Sequence, residues 1–284
     1  MPQLASQPAP KLPLWQTVWE AHALTFRNGQ TLIQIAWLWA AAMLLLVAVL
    51  NYFVFGSYYI AHKNHFSLSD SVLNEVPEMI ELLAVAAIAV GWHRFVLLDE
   101  RAGHSRGIGS TERTRRYFFW AFVIVYLAAI PVLIAAILLI GPDRYADLSA
   151  APDDVASPVT ALDMALAAAT LAGVAAVSYV PVRLSLILPA RALGHDTITA
   201  SEVWTRTRGQ FWRLFIGFIA CGVIMTLMLV ALVPSNENNA LEYARNHALS
   251  FVLALLGGMI GVTFLSLAYR HLFADQLSVP PNAG

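Results

Sequence analysis

Charge, lysine and cysteine are scarce in these 284 residues. Only 12% of them are charged and 58% are hydrophobic, whereas a soluble domain carries roughly 25% charge. That balance excludes a disordered chain, an ordinary soluble enzyme and a basic nucleic-acid binder. A single cysteine, Cys221, excludes an intramolecular disulfide, and its apolar surroundings suit a small buried hydrophobe. Two lysines stand beside fifteen arginines, a bias read as GC-rich bacterial coding. The chain has no HExxH and no acidic metal motif of the membrane phosphotransferases, so neither catalytic residue nor cofactor is expected. Near the start there is no short apolar run followed by a small-residue cleavage site; the first long apolar run suits an uncleaved membrane span.

What is abundant is long apolar runs. A spanning helix needs roughly 20 mostly apolar residues, and six segments qualify: residues 31–55, 76–98, 117–140, 161–182, 211–233 and 249–271. Without the alternation of a lipid-facing barrel, these are expected to be helices. The sequence thus predicts an all-α, polytopic membrane helix bundle with amphipathic interfacial helices on the cytoplasmic side. The membrane domain is set at 15–275, between disordered tails 1–14 and 276–284. Fourteen of the seventeen basic residues fall on one side of this arrangement and eleven of the eighteen acidic ones on the other. By the positive-inside rule both termini are cytoplasmic, in a bacterial inner membrane.

The odd spans follow aromatic, arginine-bearing stretches that echo one another. Val18-Trp19 and Arg27-Asn28-Gly29-Gln30 precede the first; Val203-Trp204 and Arg208-Gly209-Gln210 precede the fifth; Arg115-Arg116-Tyr117 opens the third. The even spans end on Arg94, Arg183 and Arg270. The echoes predict a threefold repeat of an interfacial helix and a two-helix hairpin. The helical pattern from Ala161 to Arg191 outruns a bilayer, so a kink at Pro181 is expected, with an interfacial segment to Leu193 stopped by Gly194. From Thr197 to Gly209 an amphipathic helix is expected to dip Ile198, Val203 and Trp204 into the interface. Ala169-xxx-Gly173 and Gly257-xxx-Gly261 mark close helix packing, or a homo-oligomer seam. Trp37, Trp39, Trp92, Trp120, Trp204 and Trp212 fall near the predicted interfaces.

Candidate chemistry is sparse. Glu75, Glu78 and Glu81 recur every three residues near Pro77, where acids and proline suit a helix start. Glu81 lies a turn deeper, and with Asp163 it forms the candidate intramembrane polar site. His62-x-x-His65 is a weak metal pattern. His93 at a helix end reads as structural, and Gly103, Gly107 and Gly109 as a flexible loop. The candidate lipid-headgroup contacts are Arg113, Arg115, Arg116, Arg206, Arg208 and Arg213, which attract anionic lipid.

One stretch resembles a family. Arg183-Leu-Ser-Leu-Ile-Leu-Pro-Ala-Arg-Ala-Leu-Gly, followed by Ser201-Glu-Val-Trp-Thr-Arg-Thr-Arg-Gly-Gln-Phe-Trp-Arg-Leu, is similar to uncharacterised bacterial six-helix membrane proteins. These are related to the membrane domain of glycerophosphoryl diester phosphodiesterases. The resemblance covers about residues 15 to 275 and implies six helices without catalytic residues. The soluble phosphodiesterase domain of some relatives has no counterpart here, so its activity does not carry over. The expected function is a non-enzymatic membrane protein engaging anionic lipid or a partner membrane protein. The alternatives are a small transporter or channel using Glu81 and Asp163, and an intramembrane enzyme.

Overall fold

The computed structural model of the chain describes residues 11–53, 68–100, 112–128, 161–233 and 240–277. Among these residues the regular structure is helical throughout. The helices are α1 (Leu14–Arg27), α2 (Gly29–Phe53), α3 (Leu68–Leu98), α4 (residues 112–128), α5 (Ala161–Leu184), α6 (Ile187–Leu193), α7 (Ala200–Arg206), α8 (Phe211–Leu232), α9 (Ala240–Leu272) and α10 (Ala274–Leu277). The expectations for His62, His65, Gly103, Gly107, Gly109 and Pro131 lie outside the described residues.

Three stretches are long and apolar enough to cross a membrane: Ala172–Leu193, Phe211–Leu232 and Ala248–Leu272. Leu82–Leu98 is apolar but shorter. The outward face of α8 carries Ile219, Val223, Leu227 and Val230, all exposed. So long an apolar strip is a liability in water and ordinary in lipid.

Helix starts depart from the apolar windows. The sequence puts Pro77 in a first turn, but α3 begins at Leu68, so Glu75, Glu78 and Glu81 lie within the helix. Pro77 there removes one backbone donor without ending the helix. Helix α9 likewise starts about two and a half turns before the apolar run at Leu249.

The core lies where α1, α3, α6 and α8 surround the C-terminal half of α9. Helix α1 starts after Pro13 and buries Thr17, Val18, Ala21 and Thr25, leaving Trp15, Trp19 and Phe26 exposed. Its partner is α9: Thr25 meets Thr263, and Glu20 pairs with Arg270 at 2.8 Å. Asn28 then caps α1, and its amide donates to the Leu24 carbonyl at 2.8 Å before α2 departs. Helices α8 and α9 pack closely at Gly217, where a Cβ would overlap the buried Phe264 ring. Gly257 faces Met225 on the same seam, whereas Gly173 has nothing within 4 Å.

The chain breaks at residues 185–186 rather than at Pro181, which stays inside α5. The Ser185 amide still donates to the Pro181 carbonyl at 2.8 Å, and the Ser185 hydroxyl bonds the Val182 carbonyl at 2.7 Å. That side chain competes with the next helical bond, and the helix ends there. Helix α6 is packed inside the protein rather than laid on its surface. Ile187, Ala190, Ala192 and Leu193 are fully buried against α3 and α9. Gly194, at φ +82°, caps it in the left-handed conformation glycine favours.

Candidate functional site

The ends of α3, α5, α6, α7 and α9 and the starts of α1, α4 and α8 meet at one end of the bundle. Long-range side-chain contacts join them in turn. Arg94 reaches the Ala192 carbonyl, His93 the Tyr117 hydroxyl, and Arg206 the Leu272 carbonyl. Arg213 reaches the Leu12 carbonyl, and Leu12 is itself fully buried. Arg245 sits on the other half of α9, roughly 37 Å from Arg270 at 1.5 Å rise per residue.

Most arginines at this end are committed to the protein. Arg183 is nearly fully buried. Its Nε donates to the Thr207 hydroxyl at 3.0 Å and one terminal nitrogen to the Tyr179 hydroxyl at 2.8 Å; the other bonds the Trp204 carbonyl. The guanidinium lies 3.6 Å from the Trp204 ring centroid and 5.2 Å from that of Tyr179. Aromatic faces and neutral oxygens thus do the work of a carboxylate. Arg183 and the Trp204–Thr207 turn meet in this clasp. Arg206 forks onto Asp275 at 2.5 and 2.8 Å, pairs with Glu202 at 3.0 Å and covers the Phe273 ring. The Arg206 hydrogen bonds hold the Asp275 carboxyl below the usual carboxylate range.

The sequence-predicted headgroup contacts therefore divide. Arg206 and Arg213 hold the fold together. Arg208 is exposed, with no ion pair among the described residues. Arg113 lies against Gly194. The expected dip of Ile198 and Val203 into the interface is also corrected: both are buried in protein, and only Trp204 of the three is exposed. Trp92, expected near an interface, is fully buried in the core. The side chains of Glu81 and Asp163 lie outside the described residues.

Arg115 and Arg116 open onto a cavity of about 430 Å³, lined also by Phe119, Trp120, Arg191 and Asp196. Spacing of one and four residues puts the four α4 side chains on one flank of that helix. Arg191, in the last turn of α6, is 10% exposed and donates to the carbonyls of His195 at 3.0 Å and Ile198 at 2.9 Å. Those bonds and the Gly194 turn bring Asp196 back into the cavity. There its carboxylate pairs with Arg116 and stands 3.5 Å from Arg191. Glu112 bridges Arg115 at 2.5 Å and Arg116 at 2.7 Å. The Arg116 hydrogen bond depresses the Glu112 carboxyl, and the bond to Asp196 raises Arg116. Sequence reasoning found the α4 half of this cavity and missed Arg191 and Asp196. The signal for them was the glycine stop at Gly194, which folds the next residues back.

Two buried polar knots lie deeper. His93, fully buried, bonds the Ser266 hydroxyl at 2.7 Å and the Tyr117 hydroxyl at 3.2 Å. Ser266 also donates to the Val262 carbonyl at 2.9 Å. The bookkeeping closes if His93 donates from Nδ1 to Ser266 and accepts at Nε2 from Tyr117. The Trp92 indole donates to Thr263 at 2.7 Å, and Thr263 meets Thr25 at 2.8 Å. Among the described residues no three His, Cys, Asp or Glu side chains gather to hold a metal ion. Comparison with known proteins finds no matching family model, no matching curated protein and no matching solved structure.

Proposed function

We propose that the chain is a six-span bacterial inner-membrane protein, with both termini cytoplasmic, that engages anionic lipid without performing catalysis. A partner membrane protein or a second copy is the other occupant this face suits. In this reading it is a relative of the membrane domain of glycerophosphoryl diester phosphodiesterases. The observation that carries the reading is the division among the arginines at one end of the bundle. Arg183, Arg206 and Arg213 are tied into the fold, while Arg208 is exposed without an ion pair among the described residues, and Arg115 and Arg116, which share Glu112, keep exposed tips near exposed Phe119. Cations next to aromatic rings at helix ends suit a headgroup layer.

The threefold repeat belongs to the same proposal. The arginine ending the second hairpin, Arg183, reaches Trp204 of the third unit's interfacial helix. The arginine ending the third, Arg270, reaches Glu20, beside Trp19 of the first unit. Each hairpin so described hands on to the next interfacial helix.

The test is native mass spectrometry of the full chain released from mixed phosphatidylglycerol and phosphatidylcholine nanodiscs. Anionic lipid is expected to be retained preferentially. Replacing Arg115, Arg116 and Arg208 with Gln removes about 1 kcal/mol of attraction per residue, or about 100-fold in all. Equal retention of the two lipids by the unaltered chain refutes the reading.

A further inference from the structure

We propose that the cavity between α4 and the turn after α6 is a binding site for a phosphomonoester dianion, with Asp196 as a built-in competitor that occupies the anion's seat. The inference deepens the lipid reading, and rests on it only for the source of the phosphate.

The cavity has the size for a small ligand. About 430 Å³ lies within the range of roughly 300–1,000 Å³ typical of ligand sites. Its walls have a charge surplus: three guanidiniums face one carboxylate. Adding Glu112, which serves both α4 arginines, still leaves the positive charge ahead.

They also have a donor surplus. A guanidinium carries five N–H groups. Arg116 gives Nε to Glu112 and one bond to Asp196. Arg115 bonds only Glu112 among the described residues. Arg191 gives its terminal nitrogens to two carbonyls and to Asp196, and its Nε has no acceptor among the described residues. The uncommitted donors point to an acceptor with several oxygens, and guanidinium forks match phosphate in geometry.

The seat itself is marked. Asp196 places a carboxylate between Arg116 and the buried Arg191, where an incoming anion gains most. Its side chain is 42% exposed, so it has room to swing outward. A monoanionic diester arriving there exchanges one negative charge for another. A dianionic monoester adds a charge to a site with positive charge to spare, and so displaces Asp196. Phe119 and Trp120 line the same cavity and offer an apolar wall to the carbon side of the ester. Phosphatidic acid at the membrane surface and a soluble phosphate ester share this chemistry.

The experiment uses the full chain in phosphatidylcholine nanodiscs. In one arm phosphatidic acid or phosphatidylglycerol is incorporated at equal total charge and retention is read by native mass spectrometry. In the other, glycerol 3-phosphate is titrated and heat is read. Phosphatidic acid is expected to be retained about tenfold over phosphatidylglycerol, the worth of one charge-assisted hydrogen bond. Asp196→Asn is expected to strengthen phosphatidylglycerol retention and shrink that ratio. Arg115→Gln with Arg116→Gln, both at exposed positions, is expected to abolish the preference, while Arg245→Gln, exposed on the other half of α9, leaves it intact. Binding of glycerol 3-phosphate supports the site with a soluble ligand; binding of phosphatidic acid alone supports it with a lipid. Equal retention of the two anionic lipids together with no binding of glycerol 3-phosphate, or an Asp196→Asn chain indistinguishable from the parent in both arms, overturns the inference. If both anionic lipids are still preferred over phosphatidylcholine, the lipid reading stands without this site; if neither is preferred and glycerol 3-phosphate does not bind, both fall.

Discussion

The sharpest stability prediction concerns Thr263. Its hydroxyl, fully buried, accepts from the Trp92 indole at 2.7 Å and lies 2.8 Å from both the Thr25 hydroxyl and the Met259 carbonyl. Trp92 is also fully buried, and its N–H has one destination. In Thr263→Val the shape is kept and the acceptor is gone, so the indole N–H is orphaned. A buried unsatisfied donor costs about 1–3 kcal/mol in water-soluble proteins, and membrane hydrogen bonds reach about 1.7 kcal/mol. The expected loss is therefore about 1.5 kcal/mol, a little over tenfold in the unfolding equilibrium. Thr25→Val differs. Thr25 donates to the Ala21 carbonyl at 2.8 Å, and once it is removed the Thr263 hydroxyl still has the Met259 carbonyl. No donor is stranded, and the cost stays near 0.6 kcal/mol, the average membrane value. The assay is reversible unfolding in mixed detergent micelles, run as a double-mutant cycle with Trp92→Phe. In the Trp92→Phe background Thr263→Val is expected to lose most of its penalty. An unchanged penalty there, or equal costs for the two threonines, refutes the orphaned-donor account.

Three further expectations follow from packing and charge. Gly217→Ala drives a methyl into the Phe264 ring and is expected to cost about 1–3 kcal/mol by overpacking; Gly173→Ala, with open space, serves as the neutral control, and a thermal melt in detergent compares them. Arg183→Lys keeps a charge but loses the ring stacking and the fork to Tyr179, Thr207 and Trp204, so it should melt below Arg183→Met, which leaves no charge to bury; the reverse order contradicts the clasp. Burial holds the His195 imidazole below its ordinary value, with Asp196 opposing, so the unfolded chain takes up a proton first as pH falls below about 6.5. Stability is therefore complete above that pH and declines toward the lowered folded value; His195→Gln should flatten the dependence of melting temperature on pH between 7.5 and 5.5, and an unaltered slope would exclude His195 as its source.

Helix identity was legible in the sequence because lipid-length apolar runs have few other uses. Phe211–Leu232 matches its expected span almost to the residue. The starts of α3 and α9 were not legible, since their first turns are polar and hydropathy falls where the helix continues. The break after α5 was placed at Pro181, the obvious breaker, whereas a serine side chain bonding back to Val182 marks where it occurs. The arginines were the hardest. As letters they are alike, and their roles depend on acceptors far along the chain. Arg270 finds Glu20 at a separation of 250 residues, and Arg213 finds the Leu12 carbonyl at 201. The Arg191–Asp196 half of the cavity is local, but only the left-handed turn at Gly194 closes it.

The stretch made of residues 183–194 and 201–214 specifies scaffold rather than site. Arg183 needs a ring to cover it and oxygens to receive its fork, which Trp204 and Thr207 supply. Gly209, at φ +76°, turns the chain into α8, and Arg213 there ties down Leu12. Each of these positions demands one residue type for a stated physical reason. Of the cavity walls, Arg191 lies in the stretch, where it is also a strut for the loop after α6. Arg115, Arg116 and Asp196 lie outside it and are exposed at their tips. Nothing in the packing fixes their identity. A chain that keeps the clasp keeps the shape of the cavity, while its preference among anions is free to change with residues 115, 116 and 196.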